Sequence, residues 1–219
     1  MYRRHFIRSV LSAAALAATA QAAQAAEPTI LVVGDSLSAE YGIARGTGWV
    51  ALLEKKLAAE KIAAKVVNAS ISGDTTAGGR SRLPALLKTH QPAIVVIELG
   101  SNDALRGLSL DMTAANLTAM TQAAQKAGAQ VLLAGMQMPP NYGADYGQRF
   151  FALYPQVAKA QGAALVPFFL KGVADRDNAL ELFQKDRIHP TAAAHPLILG
   201  NMWPELQKLL QKNRSRDLP

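Results

Sequence analysis

Covalent acyl chemistry needs a nucleophile, a base within reach of it, and donors for the negative charge that develops. A few positions in this chain have the residue types for all three. The sequence contains no cysteine, so a side-chain nucleophile would be a serine, and Ser36 is the leading candidate. It follows Gly34-Asp35 at the close of an apolar, β-branched run. The base expected beside a serine is histidine, whose pKa lies near neutrality. Of the four histidines, His5 belongs to an N-terminal segment with the marks of a removable leader. His90 ends a helical pattern ahead of Gln91-Pro92, on the amino-terminal side of the next strand. His195 has no carboxylate at useful spacing and falls in a helical pattern, which reads as a structural or surface position. His189 remains, in Asp186-Arg187-Ile188-His189-Pro190, where Pro190 biases it toward extended backbone. Asp186, three residues earlier, can fold back to fix the ring and stabilise an imidazolium. For the oxyanion, Asn102 offers a side-chain amide, and Gly73 and Ser36 offer backbone N–H groups. Each residue also has an ordinary reading: Ser36 as a helix cap, Asp186 and His189 as a polar pair at a helix start, Asn102 and Gly73 as turn residues. Those readings do not explain why all of them occur together and in this order.

The elements that would position these residues alternate along the chain. Short apolar runs at 30–33, 64–68, 94–99, 131–134 and 164–166 read as strands. Helical patterns at 49–60, 82–89, 112–127, 148–161 and 192–210 lie between and after them, the last disturbed near Pro196 and Pro204. Val50, Leu52, Leu53 and Leu57 share one face of the first helix. Gly128 stands where a helix-ending glycine is expected. Strands that are apolar on both sides and separated by helices predict a parallel sheet covered on both faces. The expected fold is α/β: a five-stranded, three-layer α/β/α sandwich of flavodoxin-like type. The loops after the first three strands would then leave one edge of the sheet together. They carry Gly34-Asp35-Ser36, Ser70-Ile71-Ser72-Gly73-Asp74 and Gly100-Ser101-Asn102-Asp103, all small, polar and glycine-bearing. Open α/β sheets bind ligands along that edge.

Composition narrows the setting. Residues 1–25 combine a basic start (Arg3, Arg4, Arg8), a mostly apolar stretch from Val10 to Ala20, and Ala23-Gln24-Ala25. That pattern is a secretory leader cleaved near Ala25, with a twin-arginine-like start; its apolar part is too short to span a bilayer. Residues 26–219 form the expected single domain. The net charge is +7 for the whole chain, and without the leader 20 basic residues face 16 acidic ones, leaving +4. No basic run is interleaved with aromatics, which argues against nucleic acid as a partner. Without cysteine there is neither a disulfide nor a lipid-anchor site, so no stable membrane anchor is expected and stability rests on the core.

Gly34-Asp35-Ser36-Leu37-Ser38, the Gly73 segment, Gly100-Ser101-Asn102-Asp103 and Asp186-x-x-His189-Pro190 together resemble the four conserved blocks of the SGNH, or GDSL, hydrolase family. The likeness runs over nearly the whole chain after the leader. Segments 68–75, 82–87 and 140–143 are similar to the bacterial thioesterase I, lysophospholipase and arylesterase subgroup. The resemblance implies Ser36 as nucleophile, His189 as base, Asp186 as its orienter, and an oxyanion hole from the Ser36 and Gly73 N–H groups and the Asn102 side chain. Ser101 and Arg187 stand where many members carry glycine. Neither replaces a catalytic group, but Arg187 bears on the access of charged substrates.

The expected activity is two-step hydrolysis of acyl esters through an acyl-enzyme, with no metal or cofactor. Asp35, Asp74 and Asp103 read as turn-capping residues rather than metal ligands. Leu105 and Met138 are candidates to flank the acyl chain, and ordinary loop packing is the other reading of both. The corresponding loops of the related thioesterases contact the acyl group, which favours a lipid-like chain: fatty acyl thioesters, lysophospholipids or aryl esters. Two alternatives stand beside this reading: a carbohydrate or peptidoglycan O-acetylesterase of the same family, and a periplasmic ligand-binding module. The expected partner is a small-molecule ester or thioester, and the protein is expected to be exported, periplasmic and monomeric.

Overall fold

The structure is a computed structural model that describes residues 27–216; the leader expected over residues 1–25 lies outside the described residues. Strands β1 (Thr29–Gly34), β2 (Lys65–Asn68), β3 (Ile94–Glu98), β4 (Gln130–Ala134) and β5 (Ala164–Val166) form one parallel sheet in the order β2-β1-β3-β4-β5. This is the flavodoxin-like order that the alternation of runs predicts. β1, β3 and β4 are buried almost throughout, as strands covered on both faces must be, whereas β2 at the edge is half exposed. The register pairs Gly34 with Glu98. The carboxyl ends of β1 and β3 therefore finish level, and the two loops that follow leave side by side.

The helices are α1 (Trp49–Ala59), α2 (Thr76–His90), α3 (Ser101–Leu105), α4 (Leu110–Lys126), α5 (Ala144–Gln161) and α6 (His195–Arg216). α1 and α6 pack together on one face of the sheet, and α2, α4 and α5 on the other. Trp49, Val50, Leu53 and Leu57 supply the buried stripe of α1, and Leu52 is only partly covered. Gly128, with φ +91°, closes the end of α4.

Four local features differ from the sequence expectations. α2 begins at Thr76, well before residue 82, because tertiary contacts outweigh the poor helix propensity of its first turns. Thr75 caps it, the Asp103 carboxylate accepts the Thr76 N–H at 2.8 Å, and a Cβ on Gly79 would lie 2.3 Å from Leu99. The segment after Gly100 is the short helix α3 rather than a plain loop. In α6, Pro196 falls in the first turn, where no N–H is needed, and the helix continues through Pro204 to Arg216. Asp186 and His189 do not stand at the start of α6, which begins at His195; Pro190, the residue after His189, makes an isolated antiparallel bridge with Phe183. Gly34 is also needed for a different reason from the one its place at a strand end suggests. It is absent from the positive-φ glycines, but a Cβ there would lie 2.8 Å from the Ser38 side chain and 2.9 Å from Glu98. Close packing is what excludes a side chain.

Candidate active site

Ser36 sits in the turn directly after β1 and caps no helix, since α1 starts at Trp49 with Gly48 as its N-cap. The turn is held by Asp35, whose Oδ1 accepts the Leu37 N–H at 3.0 Å. Beneath it runs a buried chain of donors: Trp49 Nε1–H to Ser38 Oγ at 2.9 Å, and Ser38 Oγ–H to Glu98 Oε2 at 2.7 Å. Ser36 itself stays partly exposed.

His189 reaches Ser36 from the long segment after β5. Its Nε2 lies 2.9 Å from Ser36 Oγ, and its Nδ1 lies 2.7 Å from Asp186 Oδ2. The other Asp186 oxygen accepts the backbone N–H groups of Ile188 and His189, at 2.9 and 3.0 Å. One carboxylate therefore shapes the turn and orients the ring that the turn carries. The His189 N–H leads in holding the Asp186 pKa down at about 2, against an ordinary 3.8, with the Ile188 N–H and the ring assisting. Asp186 thus stays ionised wherever the imidazole would need a counter-charge. Tyr41 lies against the same ring, with centroids 4.3 Å apart and planes tilted by 38°. Gln184 ties the loops together: its side-chain amide donates to the carbonyls of Tyr41, at 2.9 Å, and Pro190, at 3.0 Å.

Asn102 is the second residue of α3, and its Nδ2 donates to Asp35 Oδ2 at 3.0 Å. One amide hydrogen is thereby committed and the group is fixed. α3 is in turn anchored by Asp103, which accepts from the Thr76 N–H and hydroxyl at the start of α2. Gly73 has φ +78°, and its carbonyl accepts from Arg106 Nη2 at 2.8 Å. Its loop runs beside the Ser36 turn, because the Ile71 N–H donates to the Gly34 carbonyl at 3.0 Å. Among the described residues, neither the Ser36 nor the Gly73 N–H donates to another protein group.

Ser36, Asn102, Leu105, Met138 and His189 line a single cavity of about 470 Å3, a size within the usual range for small-molecule sites. Asp186 stands behind His189, and Gly73 lies at the neighbouring loop rather than in the cavity wall. Elsewhere the wall is largely apolar, with Phe168, Leu170, Phe183 and Ile188 among its residues. These four were not singled out from the sequence, and the largely irregular segment between β5 and α6 that carries them has no periodicity to reveal it. The other two histidines among the described residues lie elsewhere. His90 ends α2 at the opposite edge of the sheet. His195 is buried, and its Nδ1 accepts the Trp49 N–H at 3.0 Å.

Two acidic residues lie beneath the site: Asp35, read from the sequence only as a turn-capping residue, and Glu98, which the sequence did not single out. Burial pushes the Asp35 pKa up to about 6. Burial, with Asp35 nearby, raises that of Glu98 well above the ordinary glutamate range. A charged residue closing an otherwise apolar strand was the available signal for Glu98. The aspartates considered as metal ligands are engaged within the protein: Asp35 as described, Asp74 with Arg82 at 2.8 Å, and Asp103 with Thr76. Among the described residues no cluster of three or more His, Cys, Asp or Glu is placed to hold a metal ion.

A parallel three-layer sandwich with hydroxyl, imidazole and carboxylate in line at the carboxyl edge of its sheet is the architecture of an SGNH hydrolase. Residues 32–197 match the GDSL-like lipase/acylhydrolase family, and the chain belongs to that family. It is 52% identical to esterase TesA of Pseudomonas aeruginosa over 93% of this chain and 100% of that one. It is 44% identical to thioesterase 1/protease 1/lysophospholipase L1 of Escherichia coli, over 85% of this chain and 86% of that one. Among solved structures it resembles the psychrotrophic esterase EstA of Pseudoalteromonas, inhibited by monoethylphosphonate. There the TM-score is 0.79 and the identity 40%, covering 84% of this chain and 100% of the other. The chain is therefore a serine hydrolase that cleaves ester or thioester bonds, and the binding-module alternative falls away.

Proposed function

We propose that Ser36, His189 and Asp186 are the catalytic triad of a serine esterase and thioesterase acting on lipid-like acyl groups. The observation that carries this is the continuous line Ser36 Oγ, His189, Asp186, with contacts of 2.9 and 2.7 Å, opening into the cavity. His189 takes the Ser36 proton as Oγ adds to the carbonyl carbon. The imidazolium then returns that proton to the leaving alcohol or thiol as its bond to carbon breaks. Water, deprotonated by the same ring, hydrolyses the acyl-enzyme and restores Ser36. The oxyanion is met by the N–H groups of Ser36 and Gly73 and by the second amide hydrogen of Asn102, which Asp35 holds in place. No step requires a metal or cofactor. Inhibition of the related esterase by monoethylphosphonate supports this reading, since a tetrahedral phosphonate resembles the tetrahedral intermediate of acyl transfer.

The largely apolar wall, with Leu105 and Met138 on it, favours acyl chains over the polar bulk of a carbohydrate ester: fatty acyl thioesters, lysophospholipids and aryl esters are the proposed substrates. A nitrophenyl ester series from acetyl to palmitoyl, with Ser36→Ala as control, tests both parts. Turnover extending past short chains and absent from Ser36→Ala is expected. Turnover confined to acetyl would return the O-acetylesterase reading, and retained turnover in Ser36→Ala would remove the nucleophile assignment. The triad and the proposed donors all come from one chain, which supports action as a monomer. No helix among the described residues is long and apolar enough to cross a membrane. The leader-like residues 1–25 support export to the periplasm.

A further inference from the structure

Arg187 occupies a backbone position that favours glycine. Its φ is +59°, in the left-handed region, where a side chain costs about 1–2 kcal/mol. The turn that imposes this angle is held on both sides. The Arg187 N–H donates to the Gln184 carbonyl at 2.9 Å. The two N–H groups that follow, those of Ile188 and His189, converge on Asp186. This backbone shape belongs to the turn that presents His189, and glycine would adopt it without strain. The chain instead places a guanidinium there. That side chain is exposed, lines the cavity beside His189, and makes no salt bridge among the described residues. The nearest carboxylate in sequence, Asp186, is already taken by His189. Asp175, also in the cavity wall, accepts from the Gly172 N–H.

Acyl transfer has a direction within such a site. The leaving group departs toward the imidazole that protonates it, whereas the acyl oxygen points toward the oxyanion donors. Arg187, two residues from His189 on the same turn, flanks the leaving-group side. A planar guanidinium with five donors suits phosphate oxygens. We infer that Arg187 is a specificity-determining residue that favours esters and thioesters whose leaving group carries a phosphate. This rests on the acyl-transfer reading above. The phosphate could belong to a nucleotide-bearing thiol or to a glycerophosphate headgroup.

Two substrate pairs test the inference in wild type, Arg187→Gly and Arg187→Lys. The first is octanoyl-coenzyme A against octanoyl-N-acetylcysteamine, a neutral thioester with the same acyl group. The second is a lysophosphatidylglycerol against the monoacylglycerol of the same chain. The measured quantity is the ratio of kcat/KM for the phosphate-bearing member to that for the neutral one. Arg187→Gly is expected to lower this ratio about tenfold in at least one pair, and Arg187→Lys to keep part of it. The wild-type ratio should fall with added salt, as a screened charge contact does, and that of Arg187→Gly should not. Arg187→Gly is also expected to raise Tm, which separates lost selectivity from lost folding. A fall in the first pair alone identifies a nucleotide thiol, and in the second alone a lipid headgroup. Ratios unchanged in both pairs overturn the inference. Failure of wild type on all four substrates would instead overturn the acyl-transfer reading, and the inference with it.

Discussion

Asn102 can serve an oxyanion only if its amide is held still, and a single hydrogen bond of 3.0 Å to Asp35 does this. An oxyanion donor fixed in advance lowers the barrier because it need not reorganise as charge develops. Replacing Asn102 by Ala should therefore reduce kcat by about 10²–10³-fold, with a smaller change in KM. Steady-state kinetics on a nitrophenyl ester reads this directly; an unchanged kcat with a raised KM would make Asn102 a binding residue only. The residues proposed as the triad were recognisable because their chemistry is narrow. With no cysteine and three of the four histidines set aside, few assignments were left. Asp35 was harder to interpret: its place in the Gly-Asp-Ser turn was plain, but its hold on Asn102 spans 67 positions. Tyr41 gave no sign at all of its stacking on His189.

At the scale of elements, His195 shows how one histidine can be structural. It starts α6 and accepts the first N–H of α1, joining the two helices that share a face of the sheet. Its Nδ1 accepts, so the ring must be neutral there, and burial lowers its pKa in keeping with that. Truncation leaves a buried N–H without a partner, at about 1–3 kcal/mol. His195→Ala should therefore lower Tm by several degrees, at about 2–4 °C per kcal/mol for a domain of this size, while kcat stays near wild type. His189→Ala, by contrast, is expected to lose nearly all kcat, and a comparable loss in His195→Ala would instead make His195 part of the reaction. The sequence reading put this histidine among structural or surface positions, and the surface option was the wrong half. The early start of α2 escaped for a related reason. Its first turns are stabilised by Asp103, from another element, against the intrinsic preference of Gly78 and Gly79.

Buried charge is a property of the whole molecule, because distance from water sets its cost. Asp35 and Glu98 lie together where three layers meet, and both carboxyls resist ionisation. The Asp35 pKa is about 6 in the fold and near 3.8 in the unfolded chain. Its contribution to stability is thus complete below pH 3.8 and lost as pH rises through about 6. Asp35→Asn keeps the shape without the ionisation. The Tm of that variant minus that of wild type should become more positive from pH 4 to pH 7.5, as followed by circular dichroism. A difference that stays constant would mean that Asp35 is ionised throughout. His195 contributes in the opposite sense. Its folded pKa lies below the unfolded value of 6.5, so its stabilisation is complete above pH 6.5 and lost as pH falls below it.

The sequence alone determined the alternation of strands and helices, the sheet they build, and which few side chains have the chemistry for acyl transfer. Those follow from local periodicity and from residue type, and both act over short stretches of chain. Tertiary structure alone decided the rest. It brought His189 to within 2.9 Å of a serine 153 residues away, joined Asp35 to Asn102, buried His195, and built an apolar wall from a segment without pattern. It also placed Arg187 at a left-handed position beside the cavity. The physical reason is that distances, burial and electrostatic surroundings depend on packing among remote parts of the chain, which no local pattern encodes.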